Sequence, residues 1–236
     1  QNDPNIKVIM LVSANGREPS CGIEKIIEFC NKKNLYLIED AAQGLGSKYR
    51  NGKPLGSLAF ASSISFSMPK IITTGQGGVV LTNNKDFDRE LRIFRDFGRL
   101  ESGNDIHAKE GLNLKFTDLQ AALGISQLSQ IKERVIKKKN IFKAYKSGLD
   151  SSYVDLIDNP ENVSPWFIEI ISKYRDQLKK YLNFNGIGVR VMYPPLNKQE
   201  VFKSHVQNKE NFPISEMIGK NGLWLPSFAH LNLEEI

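Results

Sequence analysis

The sequence predicts an α/β fold, in which a mostly parallel sheet forms a large domain and a smaller α+β domain follows it. In the first half of the 236 residues, short apolar runs alternate with segments whose apolar residues recur every three or four positions. Such alternation is typical of strands and helices that build a parallel sheet. After residue 149 the pattern becomes a short mixture of strand-like and helix-like segments. We therefore expect a large domain over residues 1–125, then an interdomain helix and a small carboxy-terminal domain over residues 126–236.

The elements of the first half follow from these patterns. The predicted strands are 8–12, which we expect to be buried, 35–38, 62–66 and 78–81, and the predicted helices are 23–32 and 86–97. Gly98 directly follows the second helix and is suited to end it. Ligands of parallel sheets bind at the carboxyl ends of the strands, which is where Asp40 lies.

A long helix is predicted from Thr117, a suitable N-cap, to about Leu149. Because few compact domains need a helix of that length, we expect it to leave one domain and enter the next. The elements predicted beyond it are strands over 166–171 and 189–193 and a helix over 175–184. Near the end, Asn232 and Glu235 have the spacing of a capping box at the start of a helix.

The composition is that of an ordinary globular protein, with a net charge of +6. The lysine cluster 137–139 is typical of a solvated helix face. A basic surface would also attract an anionic substrate such as a sugar diphosphate nucleotide. Nucleic acid is a weaker alternative, since no zinc-finger spacing, RNP-like aromatic motif or basic heptad array accompanies the charge.

Targeting signals, cysteines and histidines narrow the class further. No apolar run is long enough to span a bilayer, and no segment resembles a signal peptide, so we expect a cytoplasmic protein. Cys30 lies on the apolar stripe of the first predicted helix and is expected to be a buried free thiol. The three histidines are far apart in the sequence, so no metal site is expected.

Two side chains point to a specific chemistry. Lys70 lies between a strand-like run and a glycine-rich turn, and Asp40 ends another apolar run. A lysine that forms an imine and an aspartate that pairs with a pyridinium nitrogen are the two groups that pyridoxal phosphate chemistry requires. Taken singly, Lys70 could be an exposed lysine and Asp40 a helix cap. Together they suggest an enzyme that uses pyridoxal 5'-phosphate.

Three segments carry a resemblance to a known family. They are E-D-A-A-Q at 39–43, S-F-S-M-P-K-I-I-T-T-G-Q-G-G from Ser65, and G-L-N-L-K-F-T-D-L-Q-A-A-L-G from Gly111. In this order and spacing the chain resembles the DegT/StrS-like nucleotide-sugar aminotransferases, members of PLP fold type I. The resemblance extends from about Val8 to Ile236.

The resemblance implies a role for five residues. The lysine matching Lys70 forms an imine with the cofactor and moves a proton between it and the substrate. Asp40 would bond the pyridine nitrogen, and Gln43 would project towards the ring. Ser65 would donate its hydroxyl to the phosphate, unless it only faces a strand neighbour. Asn113, otherwise a turn residue, would reach the phosphate in a partner subunit, which implies a homodimer.

The chain also departs from the family. Ser67 stands where many relatives have histidine or tyrosine, and Lys115 where many have arginine, which leaves the choice of sugar open. A subgroup with histidine in place of the imine lysine performs dehydration, and Lys70 argues against that subgroup. The opening portion of the family, which stacks an aromatic ring on the cofactor and binds its phosphate, has no counterpart here. We therefore expect a large domain that is incomplete at its start.

The function implied is that of a transaminase. It would convert a nucleotide-linked keto-deoxysugar to an amino sugar for polysaccharide biosynthesis or secondary metabolism, with glutamate as the amino donor. The alternatives are a non-catalytic or truncated relative, a PLP-dependent sugar dehydratase and, more remotely, a nucleic-acid-binding protein.

Overall fold

The structure is a computed structural model that describes residues 5–101, 103–202 and 211–236. These residues form two packing units. The first comprises the chain up to Val135 together with Pro160–Trp166, and the second comprises Ile136–Asn159 and the residues from Phe167 onwards. The boundary expected between residues 125 and 126 lies ten residues before this division and stays a prediction.

The first unit is built on a four-stranded sheet. Its strands are β1 (Val8–Val12), β2 (Tyr36–Asp40), β3 (Ala61–Ser65) and β4 (Gly78–Thr82), in the spatial order β1-β2-β3-β4. The first three strands are parallel to one another, and β4 runs antiparallel to β3. The register places Asp40 beside Val12 on one side and Ser63 on the other. All four strands were predicted from the sequence.

One strand is less buried than its sequence predicts. We expected 8–12 to be a buried strand, but Val8, Met10 and Val12 are exposed. β1 is an edge strand among the described residues, so only one of its sides is paired. An apolar run shows that a strand forms but not how many neighbours cover it.

The first unit has one helix between β1 and β2 in sequence and another that follows β4. Helix α1 (Ile23–Lys33) buries Ile23 and Cys30 and ends at Asn34, which adopts the left-handed conformation with φ of 55°. Helix α2 (Lys85–Arg95) begins where Asn84 Oδ1 accepts a hydrogen bond from Phe87 N at 2.8 Å. Gly98, predicted to end α2, has a φ of 76° and donates its N–H to Ile93 O at 2.9 Å. A glycine takes that φ without steric cost.

The core of the first unit lies between α1 and the sheet. Its buried members are Ile23, Cys30, Leu37, Ala41, Tyr49, Leu55 and Ile64. Cys30 is a buried free thiol, as predicted, and burial raises its pKa. Cys21 is also free but exposed.

The predicted long helix is interrupted. Helix α3 (Asp118–Ser129) begins with a capping box between Thr117 and Gln120, and α4 (Ile131–Gly148) follows after a break at Gln130. At the break, Gln130 N donates to Gln127 O at 3.2 Å, which is the tighter three-residue spacing. A single continuous helix was therefore the wrong prediction, because one tight turn leaves the apolar periodicity almost unchanged.

The lysine cluster on α4 is not wholly solvated. We expected 137–139 to lie on a solvated helix face, yet Lys138 is only 5% exposed. Consecutive residues of a helix point in directions about 100° apart, so three adjacent lysines need not share one environment. Lys138 shares its face with the buried Ile141, Phe142 and Tyr145.

The second unit has a small antiparallel sheet. Its strands are β5 (Asp155–Leu156), β6 (Ile168–Ile171), β7 (Arg190–Val191) and β8 (Gly222–Leu225), in the order β5-β6-β8-β7, and its other helices are α5 (Arg175–Phe184) and α6 (Pro213–Asn221). The buried core residues are Ile141, Phe142, Tyr145, Ile168, Ile170, Leu223 and Leu225. Asn232 and Glu235 form the predicted capping box, but the element it begins is a single 3-10 turn, Leu233–Glu235. In the described part of the chain no helix combines the length and apolarity needed to cross a membrane.

Candidate active site

Asp40 is held at the carboxyl edge of the sheet. It is the last residue of β2, and its Oδ1 accepts hydrogen bonds from Ala42 N at 3.0 Å and Ser63 Oγ at 3.5 Å. The residues after Asp40 form turns instead of the short helix considered from the sequence, so Asp40 stabilises a turn. Its carboxylate is half-buried, where a charged partner gains more than it would in open water.

Lys70 lies in the loop that joins β3 to β4. Lys70 N donates to Ser67 O at 3.1 Å, and Thr74 N donates to Phe66 O at 2.9 Å, which folds the loop back on itself. Burial lowers the pKa of the Lys70 amine, and the negative charge of Asp40 partly opposes that effect. The structure therefore brings the two residues within electrostatic reach of each other.

An aromatic side chain lies against the Lys70 amine. Lys70 Nζ is 3.5 Å from the centroid of the Trp166 ring, and Trp166 Nε1 donates to Pro69 O at 2.7 Å. Sequence reasoning treated Trp166 as the start of a strand. Nothing in the local sequence marks this contact, because the two residues are 96 positions apart in the chain.

Ser65 ends β3 and takes part in a small hydroxyl cluster. Ser65 Oγ donates to Ser67 Oγ at 3.1 Å and accepts from Ser67 N at 3.3 Å. Two hydroxyls beside a loop N–H are suitable donors for a phosphate. Ser67, one of the departures from the family, thus directly contacts Ser65, the residue predicted to bind the phosphate.

Gln43 and Asn113 contact parts of the chain other than Lys70 and Asp40. Gln43 Oε1 accepts a hydrogen bond from Asn15 N at 2.6 Å, so its amide oxygen is bound by the loop after β1. Asn113 is exposed and forms an isolated bridge with Asp96. Within the described residues of this one chain, Asn113 makes no hydrogen bond to Lys70 or Asp40. The roles of Gln43 and Asn113 stay predictions.

Lys115, the other departure from the family, lies beside Asn113. Lys115 Nζ contacts Asp96 Oδ1 at 3.1 Å and lies 3.9 Å from the centroid of the Phe97 ring. Arg99 Nη2 binds the same carboxylate oxygen at 2.6 Å. These two cations lower the pKa of Asp96, Arg99 more strongly than Lys115. Lys115 is therefore committed to local contacts in this structure.

A buried carboxylate network directly precedes Asp40 in sequence. Glu39 is fully buried and accepts hydrogen bonds from Ser13 Oγ at 2.5 Å and from Tyr49 Oη. Gly56 N donates to Tyr49 Oη at 3.0 Å. Burial, together with the bond and charge of Glu39, raises the pKa of Tyr49. Side chains alternate along a strand, so Glu39 faces the core while Asp40 faces the site edge.

The site fits a pyridoxal phosphate cofactor by the chemistry of its donors. An amine of lowered pKa, a nearby carboxylate and a hydroxyl pair are the groups such a cofactor needs for attachment, ring pairing and phosphate binding. Among the residues that the structure describes, no group of three or more His, Cys, Asp or Glu side chains is placed to bind a metal ion. The fold and the site together define the class of the protein: it is a pyridoxal-phosphate-dependent type of fold with its site centred on a lysine.

The chain matches the model of the DegT/DnrJ/EryC1/StrS aminotransferase family over residues 3–236. It belongs to that family, which confirms the resemblance carried by the three sequence segments.

Similar proteins include several sugar-modifying enzymes. The chain is 33% identical over 236 residues to GDP-perosamine synthase of Escherichia coli O157:H7, covering 98% of this chain and 63% of that protein. It is 30% identical over 253 residues to the UDP-4-amino-4,6-dideoxy-N-acetyl-beta-L-altrosamine transaminase of Campylobacter jejuni, covering 100% of this chain and 64% of that protein. The chain thus spans less than two thirds of the length of these relatives.

Solved structures agree on the fold. Helicobacter pylori PseC, an aminotransferase involved in the biosynthesis of pseudoaminic acid, superimposes with a TM-score of 0.87 at 27% identity. The match covers 97% of this chain and 63% of PseC. The predicted α/β class, PLP fold type I, is confirmed.

Proposed function

We propose that this chain is part of a transaminase that uses pyridoxal 5'-phosphate to convert a nucleotide-linked keto-deoxysugar to an amino sugar. The observation that carries the proposal is the half-buried Lys70 amine, of lowered pKa and within reach of the Asp40 charge, at the carboxyl edge of the sheet. Family membership supports the reaction class.

Lys70 would hold the cofactor through Nζ and act as the acid and base of the reaction when that amine is free. The bound cofactor supplies an electron sink for the carbon that carries the transferred amine. Because burial lowers the pKa of Lys70, a larger fraction of the amine is neutral near pH 7 than for a solvated lysine. A neutral amine can attack a carbonyl and can accept a proton.

The other site residues would bind and orient the cofactor. Asp40 would keep a proton on the ring nitrogen through its negative charge. The hydrogen bonds from Ala42 N and Ser63 Oγ to its Oδ1 hold the carboxylate in place. Ser65, with Ser67 beside it, would donate hydrogen bonds to the phosphate. Gln43, whose Oε1 is bound by Asn15 N, would contact the ring face with the NH2 group of its amide. Asn113 would contribute to the site of the partner subunit.

The substrate class rests on the relatives. Two of them are named for sugars linked to GDP and UDP, and a third for a dTDP-linked sugar. The net charge of +6 favours an anionic substrate of this kind. Glutamate as the amino donor follows from the family resemblance.

A homodimer is part of the proposal because α3 has an apolar surface to cover. The helix buries none of its residues, and Leu119, Leu123, Ile125 and Leu128 are all exposed. Exposed apolar clusters of this kind mark interaction surfaces. The segment with Asn113 leads directly into α3, so a partner on that helix would bring Asn113 near the second site.

Borohydride reduction of the full-length protein after incubation with pyridoxal 5'-phosphate tests the proposal. Reduction fixes a pyridoxyl group on the amine that holds the cofactor, and peptide mass mapping locates it. We expect the adduct on Lys70, with Lys115 in the same digest as an unmodified reference. An adduct on a different lysine would overturn the site, and the absence of any adduct would favour a non-catalytic relative.

A further inference from the structure

The Trp166 ring lies directly against the amine of Lys70. The distance of 3.5 Å from Nζ to the ring centroid is well within the range of about 6 Å in which an ammonium group is attracted to an aromatic face. Trp166 is 6% exposed, so the contact is shielded from water. Shielding strengthens the attraction, because less solvent competes for the charge.

The indole is oriented by a second contact. Trp166 Nε1 donates a hydrogen bond of 2.7 Å to the carbonyl of Pro69, the residue before Lys70. The same side chain therefore binds both the backbone of the lysine loop and the tip of the lysine. Two contacts of this kind fix the ring plane relative to the amine.

The segment that carries Trp166 is itself tied to the first unit. Lys48 N donates to Asn162 O at 2.8 Å, and Asn162 Nδ2 returns a bond to Lys48 O at 2.6 Å. Ser164 N donates to Ser47 Oγ at 2.9 Å. A Cβ on Gly16 would lie only 3.3 Å from Ser164 O, so the glycine permits this close approach.

We propose that Trp166 is a positioning residue for Lys70, whose ring face holds the amine whenever that amine is not covalently bound. The inference rests on the proposed function, in which Lys70 alternates between holding the cofactor and moving a proton. A free lysine chain has many rotamers, and the ring would restrict them to one near the reacting atoms. The amine would then be retained close to its point of use.

The ring and its surroundings act on the amine in opposite directions. Burial lowers the pKa of Lys70, whereas an aromatic face stabilises the ammonium form and so raises the pKa. Among the described residues, the charged group that acts on Lys70 is Asp40, at the end of β2. Replacing the ring by an apolar side chain of similar bulk separates the two effects.

The test measures the pH midpoint of Lys70 acetylation in the cofactor-free, full-length protein. A limiting amount of acetylating reagent is applied across a pH series, and mass mapping gives the modified fraction of each lysine. The variants are Trp166→Leu, which keeps apolar bulk but removes the aromatic face, and Trp166→Phe, which keeps a face but removes the Nε1 donor. Lys115, which lies over the Phe97 ring, is the internal control.

We expect the Lys70 midpoint to fall by about half a pH unit or more in Trp166→Leu, roughly a threefold gain in reactivity at a fixed neutral pH. Trp166→Phe should shift it less, and Lys115 should stay unchanged in both variants. An unchanged or raised Lys70 midpoint in Trp166→Leu would overturn the inference, because the ring would then act only by excluding water. Equal shifts at Lys115 would also overturn it, since they indicate a general loosening.

Cofactor attachment is measured separately on the same proteins. If Lys70 takes up pyridoxal 5'-phosphate but its midpoint does not depend on Trp166, the inference fails and the proposed function stands. If the midpoint shifts as expected but no cofactor binds, the ring contact is real and the proposed function fails.

Discussion

At the scale of single residues, the amine of Lys70 lies within electrostatic reach of the Asp40 carboxylate because β2 and β3 are parallel neighbours. Both strands end at the same edge of the sheet, so the residues that follow them are brought together. The hydrogen bonds from Ala42 N and Ser63 Oγ then fix the carboxylate. Preorganised charge of this kind is where catalytic sites gain most of their rate.

The first prediction concerns Asp40→Asn in the full-length protein and follows from the proposed function. The amide accepts similar hydrogen bonds but carries no charge to keep the ring nitrogen protonated, so we expect turnover to fall on the order of a hundredfold or more while the cofactor still binds. Steady-state kinetics and the absorbance of bound cofactor measure the two effects. Lys70→Ala should abolish turnover altogether. Near-normal turnover in Asp40→Asn would show that another group manages the nitrogen.

Sequence reasoning reached Lys70 and Asp40 because both lie within local motifs. It missed the roles of Trp166 and of the Glu39 network because those contacts join distant parts of the chain. Tyr49 and Ser13 bind Glu39 from two different loops, and an acidic residue in a strand gives no sign of which loops will cover it. A buried carboxylate needs hydrogen-bond donors of this kind. The sequence therefore predicts that Glu39 has such donors but not which residues supply them.

At the scale of elements, the patterns that span several turns or strands were the ones predicted correctly. α1, α2 and the four strands of the first sheet follow from apolar periodicity. The break at Gln130 does not, and α6 and β8 were not predicted. β8 is only four residues long and follows α6 without a loop, so no separate connecting segment divides the two elements in the sequence.

Helix α4 carries a prediction for pH. Burial lowers the pKa of Lys138 to about 7, against about 10.4 for an unfolded lysine. Between these values the unfolded state binds more protons than the folded state, so the free energy of unfolding should rise with pH, by at most about 1.4 kcal/mol per pH unit. Below pH 7 this dependence should disappear, because both states are protonated. Chemical denaturation across the pH range measures it.

Lys138→Met should remove most of this pH dependence, since the methionine has a similar length but does not titrate. Lys137→Met is the matched control, because Lys137 is exposed on the same helix. If the control flattens the profile equally, or Lys138→Met leaves it intact, the dependence belongs to other groups.

At the scale of the whole molecule, the proposed homodimer combines the exposed apolar residues of α3 with an Asn113 that acts in the partner's site. Their combination predicts that inactive Lys70→Ala and Asn113→Ala proteins restore each other when subunits exchange. Random mixing gives half heterodimers with one intact site each, so activity should recover to about a quarter of the wild-type value. Turnover assays after exchange, with heterodimers confirmed by mass spectrometry, decide it. Confirmed heterodimers without activity would place Asn113 outside the partner's site.

The first packing unit is discontinuous in the sequence, and this has a consequence for how the protein is made. Among the described residues the last strand of its sheet to be synthesised is β4, but the segment Pro160–Trp166 emerges only after all of α4. Domains tend to fold in order as the ribosome releases them. Here the surface against which Asn162, Ser164 and Trp166 pack stays exposed until that segment has been translated. The Lys70 amine therefore acquires its aromatic neighbour late, and a nascent chain halted before residue 160 would carry the lysine without the ring.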